Sequence, residues 1–137
     1  MTEHITKFSG VKQEYESGAT RDTSTGKGRF DLVPTGPLMR LAKVYERGAA
    51  NHGQRNWEKG FNMSRAIDSA LRHILQYKDG MRDEDHLSQA AWNLFALMHF
   101  EMQIEKGNLP KELNDLMTYY GEEQLVKKPY DDSDDLL

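Results

Sequence analysis

From Leu38 onward, apolar side chains recur every three to four residues, a spacing that predicts helices. The first runs from about Pro37 to Asn51, with Leu38, Leu41, Ala42, Tyr45 and Ala49 as its buried stripe. Pro37 suits a first turn, with Thr35 or Gly36 as the cap. Gly53 ends it, and the loop HGQRNWEKGFN follows. The second helix runs from about Ser64 to Lys78, with Ile67, Ala70, Leu71, Ile74 and Leu75 inward and Gly80 as the stop. A third starts near Asp83 as N-cap and reaches about Lys106, where Gly107 stops it. Its middle, AAWNLFALMHF, is apolar on almost every side, as in a helix that is central or buried between subunits. A short fourth helix is expected from Pro110 to Tyr119.

Residues 1–34 show no helical period, and no segment alternates as a strand. Glycines punctuate that segment, which reads as an extended arm. The expected fold class is all-α: a helical bundle behind an extended N-terminal arm, its core completed by oligomerisation. The expected divisions are an arm over 1–34, a helical domain over 35–121, and an acidic, disordered tail over 122–137.

Composition adjusts this picture in few places. The chain has 137 residues, 37% of them hydrophobic, and a mean hydropathy of -0.80. A core that small favours burial against a second copy. The net charge of -4 argues against a general nucleic-acid binder. With no cysteine there is no disulfide, thiolate-zinc site or cysteine nucleophile, which fits a reducing cytoplasm. No apolar run has the length of a signal peptide or a membrane span.

Candidate chemistry begins in SGATRDTSTGKGRFDLVP. A Walker P-loop needs G-x-x-x-x-G-K-[ST] between a strand and a helix. Here Gly28 stands where Ser/Thr should, Arg21 stands where the first Gly should, and neither strand nor helix is expected. Lys27 and Arg29 could still meet an anion; the plainer reading is an exposed basic linker.

Asp83, Glu84 and Asp85 open the third helix, where the dipole alone favours acids. The functional reading is that Glu46 and Asp85, on neighbouring helices, share a divalent cation. Asp85, Gln89 and Asn93 fall on one helix face, as a ribbon that either meets polar groups of another helix or lines a site. His73 borders the second helix's stripe; it and Arg72 could donate to phosphate, although a packing role is commoner for such a His. Asp85-His86 reverses the His-Asp order of HD-type metal sites. Trp57 could stack on a base or cover the end of the bundle.

Four runs together, GKGRFDLVP, VYERGAANHGQRNW, SALRHILQY and DEDHLSQAAWNLFAL, resemble the dATP/dGTP diphosphohydrolase N-terminal-domain family. The likeness spans roughly Ser17 to Phe100 and is strongest to the phage (d)GTP diphosphohydrolases of MazZ type, grouped with the MazG-like all-α NTP pyrophosphatases. It implies a MazG-like helical bundle and cleavage of dGTP or GTP between the α and β phosphates. The products are then dGMP or GMP and pyrophosphate, with dGMP feeding 2-aminoadenine nucleotide synthesis for phage DNA. It also implies magnesium or manganese, a homo-oligomer (dimer or tetramer) and a host-cytoplasmic setting.

By the same resemblance Lys27, Arg29 and Asp31 match one motif, and Glu46, Gly48, Ala49, Asn56 and Trp57 the next. Arg72, His73, Asp85, His86 and Asn93 match the later helices. Glu46 and Asp85 would hold metal, with Glu84 or Asp68 completing the set, because Ala49 and Asn93 stand where MazG-like enzymes carry acids. Lys27, Arg29 and Arg72 would neutralise the leaving pyrophosphate. His73 and Asn93 would orient phosphate or water, and Asn56 and Trp57 would contact base or sugar. Guanine recognition needs a donor to O6 and an acceptor for the 2-amine, and no residue is assigned to either. An HD-like dNTP phosphohydrolase and a non-catalytic nucleotide-binding helical module stand as alternatives.

Overall fold

A computed structural model describes residues 5–117 and Tyr130. The described residues fall into two compact units, 5–33 with Tyr130, and 34–117. The acidic tail expected over 122–137 lies outside the described residues, Tyr130 apart.

The first unit is not simply an extended arm. β1 (Lys12–Glu14) and β2 (Thr20–Asp22) form an antiparallel hairpin with Lys12 opposite Asp22 and Glu14 opposite Thr20. The Tyr15 N–H donates to the Ala19 carbonyl at 2.9 Å and closes the loop. Asp22 Oδ1 accepts from both the Ser9 amide and the Ser9 hydroxyl, at 3.1 and 2.6 Å. Strand alternation was invisible because these strands have no apolar face to alternate. A short strand therefore does precede GKG, and a 3-10 turn (Phe30–Leu32) follows it. The P-loop reading still fails on Gly28 and Arg21.

The second unit holds three α-helices among the described residues: α1 (Thr35–His52), α2 (Met63–Lys78) and α3 (His86–Glu105). Pro34 rather than Thr35 or Gly36 occupies the N-cap of α1. Asp85 rather than Asp83 caps α3. The expected fourth helix is a single 3-10 turn (Lys111–Leu113); of its expected span, 118 and 119 lie outside the described residues. This turn passes over Gly60, where an added Cβ would lie 2.7 Å from Leu113 Cδ1 and φ is 92°. Only glycine fits both the space and the backbone there. Asp115 then accepts from the Ser64 amide and hydroxyl at 2.9 and 2.5 Å, capping α2 from a distant segment. No described helix is long and apolar enough to cross a membrane.

α3 is the central element and has three faces. His86, Asn93 and Phe100 meet His73, Ser69 and Met63 of α2. Trp92 meets Tyr45 of α1. Leu87, Leu94, Phe95 and Met98 face outward and are exposed. The stripe expected on α2 is correspondingly displaced. Met63, Ala66, Ala70 and His73 are buried, while Leu71 and Leu75 are 54% and 56% exposed. Small residues, Ala66 and Ala70 against Ala90 and Ala96, let two helices approach closely, and the larger side chains are turned out of that seam. On α1 only Leu41 is buried, and Leu38 is exposed.

Candidate active site at the start of α3

Four consecutive residues, Asp83 to His86, build the site, and the helix they open positions them. Asp85 accepts from the Ser88 amide at 3.2 Å and the Ser88 hydroxyl at 2.8 Å, which fixes the first turn. Arg40 of α1 grips the same carboxylate with two nitrogens, at 2.6 and 3.0 Å. The Arg40 hydrogen bonds come first, then those of Ser88, in holding the Asp85 carboxyl well below its ordinary 3.8, against the opposing effect of burial. The folded state thus binds fewer protons than the unfolded chain. This stabilisation is present above about pH 4 and is lost as pH falls through the lower folded value.

Half of the Arg40 side chain is open to solvent, so water screens the pair and its contribution to stability is small. Asp85→Asn keeps a capping oxygen but not the charge. Its melting temperature is expected to fall less steeply than that of the unmodified protein between about pH 4 and pH 2. Parallel declines would show that the pair contributes nothing.

Behind this turn lies a buried relay. His86 is 1% exposed; its Nε2 lies 2.9 Å from Asp83 Oδ1, and its Nδ1 lies 2.9 Å from Nδ1 of His73, which is 5% exposed. Asp83 accepts the Nε2–H of His86, so a neutral His86 has a bare Nδ1 and accepts from the Nδ1–H of His73. Burial, then the charges of Arg72 and His86, push the His73 pKa down against the pull of Glu84. His73 is therefore neutral at neutral pH. The bond to His86 is the first cause lowering the Asp83 pKa.

Asp83, Glu84 and His86 each bring a ligand atom within 4.8 Å of the others. Two carboxylates fit magnesium or manganese; the imidazole shifts the preference toward manganese, the softer of the two. A cavity of about 360 Å³ opens over them, lined also by Arg40 and Arg82. Arg82 is held there by the carbonyls of Tyr77 and Met81 and by the Tyr77 ring 3.9 Å below its guanidinium. Carboxylates for a cation and guanidiniums for an anion thus line one cavity.

The other residues expected in a site are dispersed. Glu46 is exposed, and about 100° per residue along α1 turns it off the face that carries Tyr45 and Leu41 toward the core. The Asp85 carboxylate is engaged by Arg40. Asn93 is buried and donates to the Gln89 carbonyl and the Ser69 hydroxyl, so the polar ribbon meets another helix. Arg72 is exposed and reaches the same hydroxyl at 3.3 Å. In the first unit Lys27 pairs with Asp22 at 2.7 Å, and Arg29 pairs with Asp31 at 2.7 Å. Asn56 and Trp57 line a separate cavity, and Trp57 also packs on His99 and Phe100. Asp83 as a ligand, Arg40 and Arg82 escaped the sequence reading. The signal present was the D-x-x-H spacing from Asp83 to His86, an i, i+3 pair across the bend that leads into α3.

No curated protein and no solved structure matches the chain. The profile of one family, described as dATP/dGTP diphosphohydrolase, N-terminal, matches residues 17–109, which is most of the chain and includes every residue of the cluster. The protein belongs to the dATP/dGTP diphosphohydrolase N-terminal-domain family.

Proposed function

We propose that the protein is a magnesium- or manganese-dependent diphosphohydrolase of the MazZ type. It converts dGTP or GTP to the monophosphate and pyrophosphate, supplying dGMP for 2-aminoadenine nucleotides of a phage in the host cytoplasm. The family name supports a hydrolase acting on dATP or dGTP. The observation that carries the reading is the meeting of Asp83, Glu84 and His86 in the cavity of Arg40 and Arg82.

In this reading water attacks the α-phosphorus, a P–O bond to it forms, and the bond to the α–β bridging oxygen breaks. Pyrophosphate departs with that oxygen. A cation on Asp83, Glu84 and His86 would supply Lewis-acid neutralisation of the phosphate oxygens. Arg82, and Arg40 where Asp85 leaves it donors, would stabilise the charge that builds on the leaving group. A cation on Nε2 of His86 would require the other tautomer of that ring: Nε2 would give up its proton to bind, and the proton on Nδ1 would be held by Nδ1 of His73, 2.9 Å away. Arg72 would add a further cation, and Lys27 and Arg29, each paired within the first unit, would meet an anion by giving up Asp22 and Asp31. Glu46 enters the ligand set here only from a second copy.

The test is a screen of common dNTPs and NTPs with magnesium and with manganese, with products identified. Pyrophosphate and dGMP are expected, faster with manganese. Triphosphate or inorganic phosphate as the product would replace this reading with an HD-like hydrolase. Metal-independent binding without turnover would leave a nucleotide-binding module.

A further inference from the structure

We infer that the cavity between the end of α1 and Trp92 is a purine-base pocket in which Glu58 selects guanine. The inference rests on the hydrolase reading for the identity of the ligand, and it supplies the base contacts which that reading lacks. The cavity holds about 850 Å³, ample for a nucleoside. Its apolar wall is aromatic. Tyr45, Trp57 and Trp92 lie within 5.9–6.2 Å of one another by ring centroids, and Phe61 stacks on Trp92 at 8°. All four are only partly buried, so ring surface is left for a flat ligand.

The polar wall comes from the 3-10 turn Asn56–Lys59. Arg55, just before it, is the one non-glycine residue with positive φ among the described residues, at 57°. Such a backbone costs energy and is retained where its surroundings demand it. Its guanidinium donates to Glu58 Oε1 at 2.6 Å, which orients the carboxylate at the cavity. Oε2 has no partner among the described residues.

A purine offers different edges to that carboxylate. Guanine presents N1–H and the 2-amine side by side, two donors for the two oxygens of one carboxylate. Its O6 then falls to an amide donor, the role available to Asn56 Nδ2 in the same wall. Adenine sets a bare N1 against the carboxylate and has no 2-amine. Both partners lose hydrogen bonds inside an aromatic-walled site, which is the costly kind of mismatch.

The protein carries two tryptophans, and both line this cavity, so intrinsic fluorescence reports on it directly. The full chain is titrated with dGMP, dIMP and dAMP in EDTA, where no turnover interferes. Saturable quenching by dGMP is expected, with dAMP at least about tenfold weaker and dIMP, which lacks the 2-amine, between them. Glu58→Gln is expected to erase the preference for dGMP while dAMP binding holds. Asn56→Asp, which replaces the O6 donor by an acceptor, is expected to weaken dGMP about tenfold or more and keeps the Arg55–Glu58 pair as a folding control. Circular dichroism confirms that both variants are helical.

Quenching by no purine nucleotide, or an unchanged preference in folded Glu58→Gln, overturns the inference. Turnover in the dNTP screen without quenching overturns the pocket and leaves the hydrolase reading standing. Selective quenching without turnover supports the pocket while overturning that reading.

Discussion

Replacing Asp83 by Asn and Glu84 by Gln together should cut metal-dependent pyrophosphate release by at least about a hundredfold, with the melting temperature almost unchanged. Both side chains are exposed, so neither supports the core. The new asparagine could still accept from His86, and the new glutamine could still accept from Gln89 as Glu84 does at 3.1 Å. What is lost is two negative charges at the one place where carboxylate and imidazole atoms converge among the described residues. Assays of pyrophosphate against rising manganese separate weaker metal binding from a lost chemical step. Recovery of activity at high manganese would mean that the carboxylates only hold the ion. Full activity at low manganese would refute the assignment. In the same assay, near-normal activity of Glu46→Gln would confine the cation to Asp83, Glu84 and His86, and a large loss would bring in a second copy.

A second large effect is expected from Leu71→Asp combined with Leu94→Asp. A homo-oligomer, which we propose here, would then sediment as a monomer of 15.8 kDa. On α3, Leu87, Ala91, Leu94 and Met98 alternate at steps of four and three, the spacing of a helix–helix seam. Leu94 is 47% exposed, and Leu71 of α2 is more so. The buried apolar set of the helical unit is short and rich in alanine, with Phe100 its largest member. A domain with so little interior gains most from a partner, and a second copy presents the same stripe in two-fold arrangement. Each aspartate would place a charge in that dry contact, costing several kcal/mol per ion by order of magnitude. The monomer should stay helical by circular dichroism, since both positions face solvent within one chain. An unchanged sedimentation mass would show that this face is not the interface.

Helix positions were legible because periodicity and punctuation agree. Gly53 and Gly107 stand just past the ends of α1 and α3, and the starts lie within a few residues of the expected places. The hairpin was not legible, because its strands are short, polar and exposed on both faces. Nor was the inward face of α2. Hydrophobicity pointed to Leu71, Ile74 and Leu75 beside Ala70, whereas close approach kept Ala70 and added Ala66. Asn93 could be read two ways from its setting, and Ser69 decided between them.

The order of the site residues along the chain, the run DEDH, and Trp57 with its polar neighbours in RNWEKG belong to the sequence alone. So does the helical class, since a 3.6-residue period is a local property that each segment carries with it. Which carboxylates meet was decided only by tertiary structure. Arg40 lies forty-five residues from Asp85 yet claims its carboxylate, and Glu46, further along the same helix, is exposed. Side-chain direction on a helix is set by rotation, but what stands opposite is set by packing, and no window of sequence contains both partners.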